Sequence, residues 1–175
     1  MELPFGYYWT FPTGTCELPP PRLWGMEDHV TGPHCSCGQR RAPGSSTDLR
    51  VLVVDDHPMV RTALSEALSD EDGVTVVGEC EDGSDVVEAV ARLRPDVVLM
   101  DFSMPVMNGL AATEALRAAD LHSQVVMWTA EGSIERPTVA AAGGDALLPK
   151  GARTDALVHC LRTVAVGCGC CPYCL

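Results

Sequence analysis

The stretch VLVVDDHPMV, residues 51–60, decides the fold. Its first four residues form an apolar run of the length of a buried strand, and two adjacent carboxylates, Asp55 and Asp56, follow it. Pro58 then stands where the first residue of a helix is expected, a favoured position because the fixed φ of proline suits a helix start. The stretch therefore predicts a strand that leads into a helix, with two like charges at the junction.

The same alternation of apolar runs and amphipathic stretches continues from residue 49 to about residue 166. It predicts strands at 50–55, 74–79, 96–101, 124–129 and 145–149, and helices at 58–68, 86–93, 110–119, 132–142 and 157–164. The fourth helix is the weakest, because Pro137 would break it or force it to begin late. Strands that alternate with helices indicate the α/β class, with a mostly parallel sheet covered on both faces.

Composition limits the classes of partner. The chain has 175 residues, of which 46% are hydrophobic, and its formal net charge is -12. Such a charge repels polyanions, so we expect no direct binding to nucleic acid. There is no uninterrupted apolar run of about 18 residues and no signal-peptide pattern at the N-terminus, so we expect a cytoplasmic protein without a membrane partner.

Both ends differ from the regular middle. Residues 1–48 hold seven of the 13 prolines and six of the nine aromatic residues, which indicates an arm without regular elements. Residues 167–175 form a tail too rich in Gly and Cys for a helix. Seven of the nine cysteines lie in these two ends, and only Cys80 and Cys160 lie between them.

Polar residues follow four of the five predicted strands. Because the carboxyl ends of parallel strands meet at one edge of the sheet, we expect these side chains to converge. Three carboxylates in one crevice repel each other unless a cation joins them, and oxygen ligands suit Mg²⁺. A lysine and a threonine beside them indicate a phosphoryl group, whose charge the lysine would neutralise. The residues are Asp55, Asp56, Asp101, Thr129 and Lys150, and Asp101 is the best candidate for the phosphoryl acceptor.

Residues 49–166 resemble the receiver domain of two-component response regulators. The resemblance rests on VDDH, DFSMPVMNG, MWTA and the lysine after the fifth strand, in the order that the family has them. It implies a flavodoxin-like, doubly wound (βα)5 parallel sheet with the strand order 2-1-3-4-5.

The resemblance also implies roles for the residues. Asp101 would accept a phosphoryl group from a histidine kinase or phosphotransfer protein, with Thr129 and Lys150 assisting. The Mg²⁺ ligands would be Asp55, Asp56, Asp101 and the backbone carbonyl of Ser103. The chain would act as a phosphoprotein in a phosphorelay and not as an enzyme, apart from its own dephosphorylation.

Three positions depart from the family pattern. Leu147 stands where the family usually has an aromatic residue, Gly151 stands where a proline often follows the lysine, and Pro137 interrupts the fourth helix. All three lie on the face that the family uses for signalling. Fewer than ten residues follow the fifth helix, too few for a helix-turn-helix output domain, so we expect signalling by contact with a downstream protein.

The cysteines support a second interpretation, a zinc-binding or redox protein on a degenerate receiver scaffold. CPYC at 171–174 is identical to the active-site tetrapeptide of glutaredoxins, although no helix is expected after it. Both ends of the domain should emerge at the edge opposite Asp101, where Cys35, Cys37, Cys171 and Cys174 would bind Zn²⁺. Flexible ends with free thiols or a disulfide are the alternative. A third interpretation is a receiver that is never phosphorylated and serves only as a binding platform.

Overall fold

The computed structural model describes residues 48–130, 132, 134–167 and 171–175. The predicted arm lies outside this range except for its last residue. In chain order the elements are β1 Leu49–Val54, α1 Pro58–Ser69, β2 Val74–Cys80, a 3-10 turn Gly83–Asp85, α2 Val86–Leu93, β3 Val97–Asp101, α3 Gly109–Ala118, β4 Gln124–Thr129, α4 Arg136–Ala141, β5 Ala146–Pro149 and α5 Thr154–Ala165. Among these residues no helix has the length and apolar character needed to cross a membrane.

The five strands form one parallel sheet in the order β2-β1-β3-β4-β5, which confirms the predicted flavodoxin-like class. Its register aligns the strand ends that carry polar residues. Val54 pairs with Met100, Asp101 pairs with Trp128, and Thr129 pairs with Pro149. The residues that follow β1, β3, β4 and β5 therefore meet at one edge of the sheet, as expected.

Alternation along the strands divides the core between the two faces of the sheet. In β1, Val51 and Val53 belong to one buried cluster, whereas Leu52 and Val54 belong to the other. The first cluster includes residues of α1 and α5, and the second includes residues of α2 and α3. Both faces are thus covered by helices, which explains why the runs in the sequence are continuously apolar.

The fourth helix is short and begins late. It spans Arg136–Ala141, with Pro137 in its first turn, where a proline is tolerated. In this helix only Val139 is buried. The expectation that Pro137 would delay the start of the helix is confirmed.

The tail packs against the domain instead of standing apart from it. Residues 171–175 form a turn, and Cys174 makes an isolated antiparallel bridge with Ala146 at the start of β5. The Leu147 amide donates to the Tyr173 carbonyl at 3.0 Å, and Arg136 donates to the Pro172 carbonyl at 3.0 Å and to the Cys174 carbonyl. The tail therefore covers the outer edge of β5, at the end opposite Lys150.

The predicted zinc ligands are only partly within the described range. Cys35 and Cys37 lie outside it, so their meeting with the tail remains a prediction. Cys171 and Cys174 are buried in the same cluster as Cys160 of α5. The sequence predicted a helix at 157–164 that includes Cys160, but it did not predict that Cys160 would share a buried cluster with the tail cysteines.

Candidate functional site

A cluster of carboxylates lies at the carboxyl edge of the sheet. Asp55 and Asp56 follow β1, and Asp101 ends β3. One ligand atom from each of these residues and from His57 lies within 4.8 Å of the others. Asp55 and Asp101 are buried, whereas Asp56 is half-buried and His57 is exposed. The structure therefore brings together the three carboxylates that the sequence predicted.

Lys150 joins two of these carboxylates. Its Nζ lies 2.8 Å from Asp55 Oδ2 and 2.8 Å from Asp101 Oδ2. Partial burial opposes the charged form, but hydrogen bonds to Asp101 and Asp55 outweigh it and raise the pKa of Lys150 above its ordinary value. The lysine therefore stays protonated and compensates part of the negative charge at this edge.

Asp101, the predicted phosphoryl acceptor, is buried and therefore poorly solvated. Burial raises its pKa, and the nearby carboxylate of Asp55 adds to that effect, while Lys150 opposes it. The Ser103 amide donates to Asp101 Oδ1 at 3.4 Å, and the exposed residue Ser103 thus lies beside the acceptor. Its role as a carbonyl ligand of Mg²⁺ stays a prediction.

Thr129 ends β4 and lies next to the lysine. Its backbone carbonyl accepts a hydrogen bond of 2.7 Å from the Lys150 amide, and its side chain is buried. The neighbouring Trp128 donates through Nε1 to the Pro149 carbonyl at 3.0 Å, and Lys150 Nζ lies 5.8 Å from the centre of its ring. These contacts fix the ends of β4 and β5 relative to each other.

Asp82, which the sequence did not single out, supports the site from the loop after β2. Its carboxylate accepts from the Val106 amide at 2.9 Å and the Met107 amide at 3.0 Å, in the loop between Asp101 and α3. Burial alone would raise the pKa of Asp82, but hydrogen bonds from Ser84, Val106 and Met107 lower it below its ordinary value. The capping pattern of Asp82 before Ser84 was the available signal, yet it gives no hint of the contact across the loop.

Gly109 permits the loop after Asp101 to close tightly. A Cβ at this position would lie 2.4 Å from the Asp101 carbonyl oxygen and 2.7 Å from Met127 Sδ. Asn108 caps α3 by accepting from the Ala111 amide at 2.9 Å. The Asn108-Gly109 pair therefore begins α3 close to the backbone of Asp101.

The oxygen atoms of the cluster fit Mg²⁺. Carboxylate oxygens from the ends of β1 and β3 lie within 4.8 Å of one another, and such hard oxygen ligands are those that Mg²⁺ prefers. Within the described ranges, no other group of three or more His, Cys, Asp or Glu ligand atoms lies within 4.8 Å. Cys160, Cys171 and Cys174 therefore do not form such a group.

The family model of the response regulator receiver domain matches residues 51–162. The chain belongs to the response regulator receiver family. Its receiver domain is 39% identical over 120 residues to the response regulator GacA of Pseudomonas aeruginosa, covering 68% of this chain and 56% of that relative. It is 35% identical over 118 residues to the nitrate/nitrite response regulator protein NarL of Escherichia coli, covering 67% and 55%. The chain thus spans little more than half the length of these curated relatives.

Solved receiver structures share the fold. The signal receiver domain of NarL from Mycobacterium tuberculosis superposes with a TM-score of 0.63 at 33% identity, over 69% of this chain and 98% of that one. The chemotaxis protein CheY4 of Vibrio cholerae superposes with a TM-score of 0.61 at 28% identity, over 67% and 99%. As a receiver, the domain is a phosphoryl-accepting regulatory domain with a Mg²⁺-binding acidic pocket, which here is the cluster of Asp55, Asp56 and Asp101.

Proposed function

We propose that this receiver accepts a phosphoryl group on Asp101, with Asp55, Asp56 and the Ser103 carbonyl as Mg²⁺ ligands beside it. The observation that carries the proposal is the bridge made by Lys150, which contacts Asp101 and Asp55 at 2.8 Å each. A lysine held between two buried carboxylates is placed to neutralise a third group of negative oxygens that arrives there. Asp101 is the only carboxylate at the end of β3.

The proposed transfer is a single displacement. A carboxylate oxygen of Asp101 attacks the phosphorus of a phosphohistidine on the donor protein, and a P–O bond forms as the P–N bond breaks. The electron pair of the broken bond returns to the imidazole nitrogen. Mg²⁺, when bound, neutralises charge on the phosphoryl oxygens. Lys150 then pairs with the new phosphoryl group, and the Thr129 hydroxyl donates a hydrogen bond to it.

We also propose that the phosphorylated receiver signals by contact with a protein. The formal net charge of -12 favours a protein partner over nucleic acid. The expected histidine kinase or phosphotransfer donor, the unidentified downstream protein and the cytoplasmic location belong to this proposal. Slow autodephosphorylation of Asp101 would end the signal.

Intact-mass spectrometry after treatment with a small acyl phosphate tests the proposed acceptor. We expect one phosphoryl group per chain in the presence of Mg²⁺ and none in EDTA, because the carboxylate cluster needs a cation before more negative charge can enter. Asp101→Asn should remove the label, since an amide oxygen is a poor nucleophile. Hydroxylamine should release the phosphoryl group, as it does from acyl phosphates.

Asp120→Asn is the matched control. Asp120 is exposed and contacts only the exposed His122, at 3.1 Å, among its charged neighbours in the described residues. This variant should be labelled like the wild type. A label that persists in Asp101→Asn would refute the assignment, and so would a label on the wild type that does not depend on Mg²⁺.

A further inference from the structure

Three cysteines, one from α5 and two from the tail, are buried in the same cluster. Cys160 is fully buried in the helix, and Cys171 and Cys174 of the tail are buried in the same cluster. Hydrogen bonding by the thiols of Cys160 and Cys174 and by the amide of Tyr173 lowers the pKa of Cys171. Hydrogen bonds that converge on one sulfur favour its thiolate, because each donor is satisfied by negative charge.

The backbone holds Cys171 in this place. The Cys174 amide donates to the Cys171 carbonyl at 3.0 Å, which closes the turn, and the Leu175 amide donates to the Asp145 carbonyl at 2.9 Å. With the hydrogen bond from Leu147 to Tyr173, these contacts anchor the tail at both sides of the turn. The position of the Cys171 backbone is therefore fixed by the folded tail.

The pKa values of Cys171 and Cys160 are shifted in opposite directions. The hydrogen bond that Cys160 donates to Cys171 lowers the pKa of Cys171, and the same hydrogen bond together with burial raises the pKa of Cys160. Cys80, the other described cysteine of the domain, has its pKa raised to about 11 by burial. A thiolate is the nucleophilic form of cysteine, so Cys171 is the sulfur that reacts first.

We propose that Cys171 and Cys160 are a redox site, which a hydroperoxide oxidises to a disulfide that fastens the tail to α5. The observations that carry this are the burial of both sulfurs in one cluster and the backbone hydrogen bonds that hold the turn against the domain. Cys160 is chosen over Cys174 as the partner because it lies in α5, so that a bond to it fastens the tail, whereas Cys174 lies in the same turn as Cys171. The proposal is independent of phosphorylation at Asp101.

The reaction has two steps. The Cys171 thiolate attacks one oxygen of the hydroperoxide, the O–O bond breaks, and sulfenic acid forms as hydroxide leaves. Cys160 then attacks the sulfur of the sulfenic acid and forms the S–S bond, and the hydroxyl group leaves with the thiol proton as water. With hydrogen peroxide, the balance is two thiols and one peroxide giving one disulfide and two waters.

The burial of Cys171 favours a small oxidant. Its side chain is 4% exposed, so the tail must open locally before a reagent reaches the sulfur. Hydrogen peroxide is close to water in size and needs less opening than a peptide disulfide. A metal site is the weaker reading of the same residues, because the three sulfurs do not all lie within 4.8 Å of one another in the described structure.

The sequence offers a clean test by peptide mapping. Trypsin cleaves after Arg153 and Arg162, so the peptide 154–162 carries Cys160 as its single cysteine and the peptide 163–175 carries the tail cysteines. The reduced full chain is treated with a small excess of hydrogen peroxide, alkylated and digested without reductant. We expect the two peptides to appear joined by a disulfide, and reduction to separate them.

Variants assign the partner in the tail. Cys171→Ser should abolish the linked pair, whereas Cys174→Ser and Cys80→Ser should retain it, with all three variants keeping the circular dichroism of the wild type. A wild type without linked peptides overturns the proposal, and so does a disulfide that joins only Cys171 to Cys174. One equivalent of zinc in the purified protein, which shields Cys160 and Cys171 from alkylation until a chelator is added, also overturns it.

Discussion

Lys150 is the single cation that the described structure places in contact with both Asp55 and Asp101. It is also the only lysine in the sequence. Since its folded pKa is raised, the folded state holds the lysine proton more tightly than the unfolded chain does. The stabilisation from this lysine is therefore complete below its ordinary pKa of 10.5 and is lost as the pH rises through the folded pKa.

Lys150→Met should lower the free energy of unfolding at pH 7 by about 1–3 kcal/mol, because two buried carboxylates lose a charged hydrogen-bond donor. The difference from the wild type should shrink as the pH rises above 10.5 towards the raised folded pKa, at which the folded wild type loses the same charge. Urea unfolding of both proteins from pH 7 to 11 measures it. A difference that stays constant over that range would show that Lys150 acts through packing instead of charge.

A direct titration is available because the chain has one lysine. Reductive methylation with ¹³C-formaldehyde labels Lys150 and the N-terminus, and the pKa of Lys150 can then be followed by NMR. We expect Asp101→Asn to lower that pKa, since it removes one of the two carboxylates that raise it. The exposed control Asp120→Asn should leave it unchanged.

Asp82 provides a second prediction for a single residue. Asp82→Ala should lower the free energy of unfolding by about 1–3 kcal/mol, because the Val106 and Met107 amides lose their acceptor. It should also slow phosphorylation, since those amides position the loop that follows Asp101. Because the folded pKa of Asp82 is lowered, its contribution is present above the ordinary value of 3.8 and is lost as the pH falls through the folded pKa.

Two measurements check the effects of Asp82→Ala. Chemical denaturation between pH 7 and pH 3 measures the loss of stability, and the rate of labelling by an acyl phosphate measures the slower phosphorylation. Asp85→Asn is the matched control, because Asp85 lies in the same turn but is exposed. It should keep the stability and labelling rate of the wild type. Equal labelling rates for Asp82→Ala and the wild type would show that the loop keeps its position without the carboxylate.

At the scale of elements, local patterns predicted most of the architecture. The apolar run before Asp55 and the proline after it predicted β1 and α1, because a buried parallel strand and a helix start each leave a local signature. Pro137 likewise predicted the late start of α4. The support from Asp82 and the burial of Cys160 and Cys171 in one cluster were not predicted, because each depends on how distant segments pack together. Cys160 fits an apolar helix stripe so well that its pattern indicates only a core position.

The tail changes the outer edge of the sheet. An edge strand with unpaired backbone groups is a template for pairing with a second chain, and the tail occupies these groups on β5. We therefore expect the full chain to show little phosphorylation-driven dimerisation through this face. A chain that ends at residue 166 should self-associate more strongly, because the Leu147 amide and the Asp145 carbonyl lose their partners in the tail.

Sedimentation velocity over a range of concentrations, with and without an acyl phosphate, compares the two chains. Arg136→Gln in the full chain is an intermediate case, since it removes the guanidinium that holds the Pro172 and Cys174 carbonyls. Its self-association should lie between those of the full and shortened chains. A phosphorylation-dependent dimer of the full chain that is lost on substitution of Leu147 would contradict the expectation.

At the scale of the whole molecule, the net charge and the acidic pocket act together on Mg²⁺. A formal charge of -12 repels itself in the compact state and concentrates cations near the surface. Sodium chloride should therefore have two opposite effects. It should raise the stability of the metal-free protein by screening the repulsion, and it should weaken Mg²⁺ binding by screening the attraction.

The increase in the unfolding midpoint on addition of Mg²⁺ measures this coupling, because a ligand that binds only the folded state stabilises it according to its concentration and Kd. We expect that increase to be smaller in about 0.5 M than in about 0.05 M sodium chloride, where the screening length differs by roughly threefold. Asp56→Asn should reduce the increase at both salt concentrations, since it removes a carboxylate oxygen from the cluster. An increase that is independent of salt but lost in Asp56→Asn would mean that the pocket alone, and not the field of the molecule, sets the affinity for Mg²⁺.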